Sequence, residues 1–315
     1  MAMDSLGNAL LTARSTLGTA ARGVRSTVDA DHRTATRAAR RGLQLPDLPR
    51  SRRAGTVWAV TMVRNEIDVL PLVLDHLEAQ AVDHVLVADN GSTDGTLELL
   101  EGRAADGRLH LARDTEPAFY QAAKVTRLAR AARRAGAEWV VPFDADELWF
   151  ARDGLLGDHV RRQRADVLGA RLFNAFPTSA GGWAMDPTSG LGKVAFRSHR
   201  LAAVAAGNHR VDRPGSRLEG AEAPLRVAHL PWRSFEQFAA KLRQGARAYQ
   251  LTRGLAGGDH WRELGLRDED ALRRLWQALL AGRTDASIGW TPRAGLVPAD
   301  PTTWSTWDPD GVLER

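Results

Sequence analysis

Cysteine is absent from the 315-residue chain, so neither a disulfide nor a thiolate metal site is open to it. Also missing is any run near the roughly 18 consecutive apolar residues that cross a bilayer. The apolar start around Leu10-Leu11 is short and interrupted by Arg14, which argues against a secretory signal. A cytoplasmic location is therefore expected. Acidic charge is scarce at the start: residues 1–53 hold ten arginines against Asp4, Asp29, Asp31 and Asp47, a balance of +6. The net charge is +5, so the remainder sums to −1. Basic character is thus expected in an arm and not in the folded body, which disfavours a nucleic-acid-binding face.

With 43% hydrophobic residues, the chain can bury one sizeable α/β domain with additions. Its most informative stretch is Glu138-Trp139-Val140-Val141-Pro142-Phe143-Asp144-Ala145-Asp146-Glu147, an apolar run that ends in carboxylates. A short apolar run without helical spacing reads as a strand buried on both faces. If extended geometry persists past Phe143, Asp144 and Asp146 project from the same side. With no basic residue close in sequence, a divalent cation is a more natural partner for two such acids than a salt bridge. Pro142 requires a bulge, a strand end or an edge, because it cannot donate to a ladder.

Before this stretch, Leu6, Leu10, Leu17, Val24 and Val28 recur at helical spacing among Arg14, Arg22 and Arg25. An arginine-bearing amphipathic helix suits an anionic membrane surface, and equally a packing helix or a basic tail. Arg40 to Gly55 reads as a linker. Val57–Val63, His84–Ala88 and Leu109–Ala112 read as strands, each followed by a helical pattern, the last from Pro117 to Ala135. Asp89 to Thr96 is a tight turn in which Ser92 or Thr93 can cap the next helix. Strand and helix alternate as in a doubly wound parallel sheet. The clusters Arg64-Asn65-Glu66, Asp89-Asn90 and Asp144-Ala145-Asp146 then share the carboxyl edge, where such sheets bind ligands. Further on, 167–173, 192–196, 201–206 and 226–230 read as strands, and 177–190 as a mobile loop. Helices are expected from Ser234, and from Asp268 as N-cap to about Ala281.

Met62-Val63-Arg64-Asn65-Glu66, Asp89-Asn90-Gly91-Ser92-Thr93-Asp94-Gly95-Thr96 and Phe143-Asp144-Ala145-Asp146-Glu147-Leu148 together resemble the inverting glycosyltransferases of family 2. A looser likeness continues through Lys193, Asn208-His209, His229, Ser234, Phe238 and Lys241, covering roughly residues 57 to 250. The resemblance implies a GT-A fold: a mostly parallel, Rossmann-like sheet with helices on both faces. Residues 1–55 would be a basic arm and linker, 56–255 the GT-A domain, and 256–315 a helical, tryptophan-containing extension.

It implies further that a nucleotide-sugar donor sits over the carboxyl ends of the strands. Asp89 would meet the base, with Val63, Arg64, Asn65, Glu66 and Asn90 around the nucleoside. Asp146, with Asp144, would hold Mn2+ or Mg2+ against the diphosphate beside Ala145, and the metal would absorb leaving-group charge. Lys124, Arg127 and Lys193 are candidates to face phosphate. His229 and His209 compete as an additional metal or diphosphate ligand. Inversion needs a general base, for which Glu147, Asp186, Asp212 and Glu222 are the candidates. Trp183, Trp232 and Trp261 are possible sugar platforms. The expected acceptor is a carbohydrate or glycolipid: a glycan, a polysaccharide or a cell-envelope precursor. Residues 1–50 offer a peripheral contact with the inner face of the membrane, and no nucleic acid is expected. Two rival readings are a catalytically silent GT-A-like binding module and a sugar nucleotidyltransferase. The second is disfavoured because Arg64-Asn65-Glu66 lacks the glycine of a triphosphate loop.

Overall fold

The computed structural model describes residues 30–50, 53–216, 223–252, 259–285, 287–292 and 295–314. From Ala30 the chain runs through α1 (Ala30–Gly42), β1 (Leu43–Gln44), β2 (Val57–Val63), α2 (Leu70–Ala79), β3 (His84–Asp89), α3 (Thr96–Ala105), β4 (His110–Asp114), α4 (Gln121–Ala135) and β5 (Trp139–Pro142). Strands β4, β3, β2 and β5 lie side by side and parallel. Along β2, Val57, Ala59 and Val63 join one apolar cluster with Val73, Leu74 and Leu77 of α2. Trp58 and Val60 join the other, with Val125, Leu128 and Ala132 of α4. Helices thus cover both faces, and an unbroken apolar run follows from that burial.

Register places the three polar clusters together. Val63 pairs with Asp89, and Val60 with Pro142, so the loops after β2, β3 and β5 leave from one edge. Pro142 is the last residue of β5, where its missing N–H costs nothing, and Phe143 N donates to Val60 O (3.1 Å). The chain then turns. Asp144 and Asp146 stand on that turn and not on an extended strand, because Glu147 N closes back on Asp144 O (3.1 Å) before β6 (Glu147–Ala151) begins.

The second half contains α5 (Leu156–Arg162), β7 (Val167–Pro177), β8 (Trp183–Met185), β9 (Gly190–Arg197), β10 (Ala203–Val204), β11 (Val211–Asp212), β12 (Leu225–His229), α6 (Phe235–Gln250), α7 (Asp259–Leu264), α8 (Glu269–Leu280) and β13 (Val297–Pro298). The sheet continues past β5 through β9, β7, β12 and β6, here mostly antiparallel. Its fold is therefore a mixed α/β sheet with a parallel core. Phe238 and Leu242 of α6 pack with Leu272, Leu275 and Trp276 of α8 around Trp232. Ser234 and Asp268 cap these two helices with side-chain oxygens.

Four expectations shift. The stretch 177–190 contains β8, fixed by pairing with both β7 and β13. The strand at 201–206 contracts to Ala203–Val204, paired with β11. The linker from Arg40 starts as packed structure, because Leu43 is buried and pairs with Asp114 of β4. Helix α3 starts from Gly95, with Asp94 Oδ1 accepting from Thr96 N (3.0 Å), while Ser92 Oγ accepts from Asn65 N (3.0 Å) and ties two loops together. The helical pattern at 5–28 lies outside the described residues. Among those described, no helix is long and apolar enough to cross a membrane.

Candidate active site

The loop after β2 is built from its own polar side chains. Asn65 has φ 56°, in the left-handed region that asparagine tolerates better than most residues. It accepts from Thr93 N (2.8 Å) and donates to Gln244 Oε1 of α6 (2.9 Å). Gln244 donates in turn to Arg64 O (3.0 Å), so α6 closes over this loop. Asp89 is buried and accepts from Gly91 N (3.0 Å) and Ser92 N (3.2 Å), holding the next loop in shape. Asn90 donates to Asp114 Oδ2 (2.9 Å) and Glu116 O (2.8 Å).

The carboxylates on the turn each have separate partners. Asp144 accepts from Lys193 Nζ (2.6 Å), Gln121 Nε2 (2.9 Å) and Asn208 Nδ2 (3.0 Å). Gln121 Oε1 accepts from Gly207 N (2.7 Å), and Asn208 is buried with φ 59°, a strained conformation maintained by this network. Lys193 Nζ also lies 2.6 Å from Glu147 Oε1. Burial pushes Glu147 up to about 8, opposed by Lys193 and aided by Asp144, while Lys193, although buried, is held above the usual lysine range by those two acids. Glu147 Oε2 accepts from Asp144 N and from Trp149 Nε1, each at 3.0 Å.

Asp146 Oδ2 faces Lys241 Nζ (2.6 Å), His229 Nε2 (3.5 Å) and Arg233 Nη1 (3.7 Å). Burial works to raise its pKa, yet Lys241, His229 and Arg233 hold it well below the ordinary carboxylate range. Arg233 and Lys241 also reach Glu66, at 2.5 and 3.6 Å, and burial raises the pKa of Glu66 against both. The absence of nearby bases in sequence did not persist in space. Lys193 lies 49 positions from Asp144, and Lys241 lies 95 from Asp146.

Strand register aligns a second row. His229 pairs with Asn174 of β7 on one side and with Glu147 of β6 on the other. Asn174 Oδ1 lies 2.8 Å from His229 Nδ1, and Asp186 N donates to Asn174 O (2.9 Å). Asp186 is buried, with Oδ1 accepting from Thr188 N and Oγ1. His209 stands at the rim with Nδ1 on Gly192 O (2.8 Å), its pKa lowered by burial and by Lys193. Val63 and Ala145 are buried beside these groups.

Other residues named from sequence lie elsewhere. Lys124 is enclosed with Asp114 (2.7 Å), both side chains at 0% exposure, and also donates to Glu116 O and Ala118 O. Arg127 donates to Leu43 O (3.1 Å), toward β1. Asp212 pairs with Arg210 at the molecular surface (3.4 Å). Glu222 lies outside the described residues. Trp232 is buried in the α6–α8 core, with Trp261 packed against it, and Trp183 belongs to β8. Sequence reasoning assigned no role to Gln121, Asn174, Arg233, Lys241 or Gln244. Lys241 and Gln244 share a face of α6, three positions apart, which a helical wheel beside Phe238 and Leu242 displays.

The acceptors fit a divalent cation at one place. Burial lowers the pKa of His229 despite Asp146, and in the neutral ring a hydrogen on Nδ1 for Asn174 would leave the Nε2 lone pair facing a carboxylate. Two facing acceptors, with the histidine oriented from behind, make a cation's donor set. Among the described residues no group of three or more such ligands assembles, so water and substrate oxygens would complete the shell, as magnesium accepts. Lys241 competes for the same Asp146 oxygen. A cavity of about 580 Å3 lies between Leu45, Pro46, Leu48 and Arg50 and the end of α4, lined by Arg134. It has no comparable set of acceptors, so the chemistry is concentrated at the edge bearing Asp144 and Asp146.

The polar loops lie at the carboxyl edge of the parallel core, the place where open α/β sheets bind ligands. Residues 58–188 match the family model described as Glycosyl transferase family 2. Among solved structures it is similar to S. aureus TarS residues 1–349, at 16% identity and TM-score 0.37, covering 67% of this chain and 69% of that one. It is also similar to the mannosyltransferase PcManGT from Pyrobaculum calidifontis in complex with GDP-Man and Mn2+, at 20% identity and TM-score 0.40, covering 86% of each chain. Another TarS structure, of the same residues, is in complex with UDP-GlcNAc. No curated protein matches this chain.

Proposed function

We propose that this protein transfers a sugar from a nucleotide-sugar donor to a carbohydrate or glycolipid acceptor, with inversion. The observation that carries the proposal is the opposition of Asp146 and His229 at the strand edge where the loops at 64–66 and 89–90 also emerge. The family-model match over 58–188 supports the reaction class, and the nucleotide sugars bound by TarS and PcManGT are of the proposed donor type.

In this proposal Asp146 and His229 hold Mn2+ or Mg2+, and the bound ion supplies Lewis-acid neutralisation of the departing diphosphate. Lys241 and Arg233 offset the charge of Asp146 when the site is free and turn toward phosphate when it is filled. Lys193 keeps Asp144 ionised and in place. The loops at Arg64-Asn65 and Asp89-Asn90, braced by Gln244, form the nucleoside wall. Among the candidate bases, Asp186 has the favoured position, one strand from Asn174 and two from His229. It would take the proton of the acceptor hydroxyl.

Thermal melting with a panel of nucleoside diphosphates, with and without manganese, tests the proposal. One diphosphate together with metal should raise the melting temperature, because ligands that bind only the native state stabilise it. Asp146→Asn should lose that response. Asp186→Asn should keep it while turnover falls by roughly 10²–10⁴. A metal-independent response shared by all three proteins contradicts the assignment.

A further inference from the structure

Three neighbouring elements pool arginines on one face of the folded chain. The last turn of α1 contributes Arg40, the outer side of α4 contributes Arg130, Arg133 and Arg134, and the turn before β10 contributes Arg200. Contact between the elements is direct. Helix α1 packs on the start of α4 through Ala35, Ala38, Tyr120 and Ala123, and Arg130 Nε donates to Ala202 O (3.1 Å). Arg130 is held below the ordinary arginine range by burial and by the charges of Arg40 and Arg134, and His199 is lowered by burial and by Arg213, Arg133 and Arg200 against Asp166. The face is therefore one electrostatic unit.

Its charges lack acid partners. Among the described residues no ion pair joins Arg40, Arg133, Arg134 or Arg200 to a carboxylate, whereas Arg103, Arg161, Arg197 and Arg233 are all paired. Like charges three and four positions apart on a helix destabilise it, as Arg130 does with Arg133 and Arg134. Favourable ends of helix dipoles account for Arg40, Arg133 and Arg134. They account for neither Arg130 nor Arg200.

A second observation selects the partner. Leu201, beside Arg200 and next to the residue whose carbonyl holds Arg130, is 51% exposed. A projecting leucine set among guanidinium groups matches the boundary between lipid phosphates and acyl chains. Single-stranded nucleic acid would instead call for exposed aromatic platforms on which bases stack, and the elements of this face contribute no phenylalanine or tryptophan and one tyrosine, Tyr120, which is buried. The 29 residues before α1 continue the same chemistry, with Arg14, Arg22 and Arg25 among leucines and valines.

We propose that this face docks on an anionic lipid bilayer, with the arginines against headgroup phosphates and Leu201 entering the acyl boundary. The proposal stands apart from the donor-site reading. Flotation of the full chain with phosphatidylcholine vesicles, with and without phosphatidylglycerol, tests it. Binding should require the anionic lipid and weaken with salt. Arg133→Glu, Arg134→Glu and Arg200→Glu combined should weaken it about a hundredfold, Leu201→Ala should weaken it several-fold, and the same three positions as lysine should retain most of it. Should the glutamate variant fail to fold, glutamine at the three positions makes the same test. The proposal is overturned if the variants float as the native chain does, if no vesicle is bound, or if single-stranded RNA is bound as tightly as the vesicles.

Discussion

At the carboxyl edge of the sheet, Glu66, Asp144, Asp146 and Glu147 each meet a lysine or an arginine, whereas among the described residues no ion pair joins Arg40, Arg133, Arg134 or Arg200 of the α1–α4 face to a carboxylate. The first region is neutralised, buried and positioned; the second is left charged and open. A site that binds a charged substrate benefits from preorganised, mutually offset groups that re-pair when the ligand arrives. A surface that binds a charged sheet of lipid gains from charge left uncompensated. The two regions should therefore respond to different perturbations, the edge to pH and to single substitutions, the face to salt.

The largest effect is expected at the border of the edge. Lys124→Met leaves Asp114 charged and enclosed, and should destabilise the fold by about 3–5 kcal/mol in denaturant titration. Because Lys124 is committed to Asp114, Glu116 and Ala118, diphosphate binding by the folded variant should be unchanged; disappearance of the binding signal would return Lys124 to the phosphate site.

A smaller effect separates the regions by pH. Glu147 has a folded-state pKa of about 8 against 4.5 for the ordinary carboxyl, so the fold binds its proton more tightly than the unfolded chain. Its contribution to stability is fully present below pH 4.5 and is lost as pH rises through 8. Between pH 7 and 8 the protein should lose about 1 kcal/mol, and Glu147→Gln should flatten that slope. Arginines do not titrate there, so removing charges from the face should leave the slope intact.

The smallest effect belongs to the face. Arg133→Ala or Arg134→Ala should change stability by no more than about 0.5 kcal/mol in low salt, because relief of the repulsion from Arg130 offsets the weaker attraction to the helix dipole. A loss above about 2 kcal/mol would reveal a structural partner for these arginines and remove the contrast between the regions.

Much of the fold was legible because its signals are local. Buried strands such as β2 and β5 announce themselves as apolar runs, Pro142 marks a strand end, and Ser234 and Asp268 cap helices with their own oxygens. Short strands such as β8 and β13 were not legible, since a pairing of two or three residues is decided by the partner's position. The same distinction runs through the site. Asp144, Asp146 and His229 were visible as motif residues, but Lys193 and Lys241 meet them only after long loops close, so acids isolated in sequence gained bases in the fold. Charge counting failed in the opposite sense for the arginine face: residues summing to nearly zero along the chain separate in space, and Arg130 and Arg200 come together through the hydrogen bond to Ala202.

The central claim concerns what lies between Asp146 and His229. Anomalous diffraction from a crystal soaked with manganese and a nucleoside diphosphate tests it directly. The account predicts one strong peak within about 2.0–2.3 Å of an Asp146 oxygen and His229 Nε2. Diphosphate bound with no peak there, and with Lys241 still seated on Asp146, would contradict it.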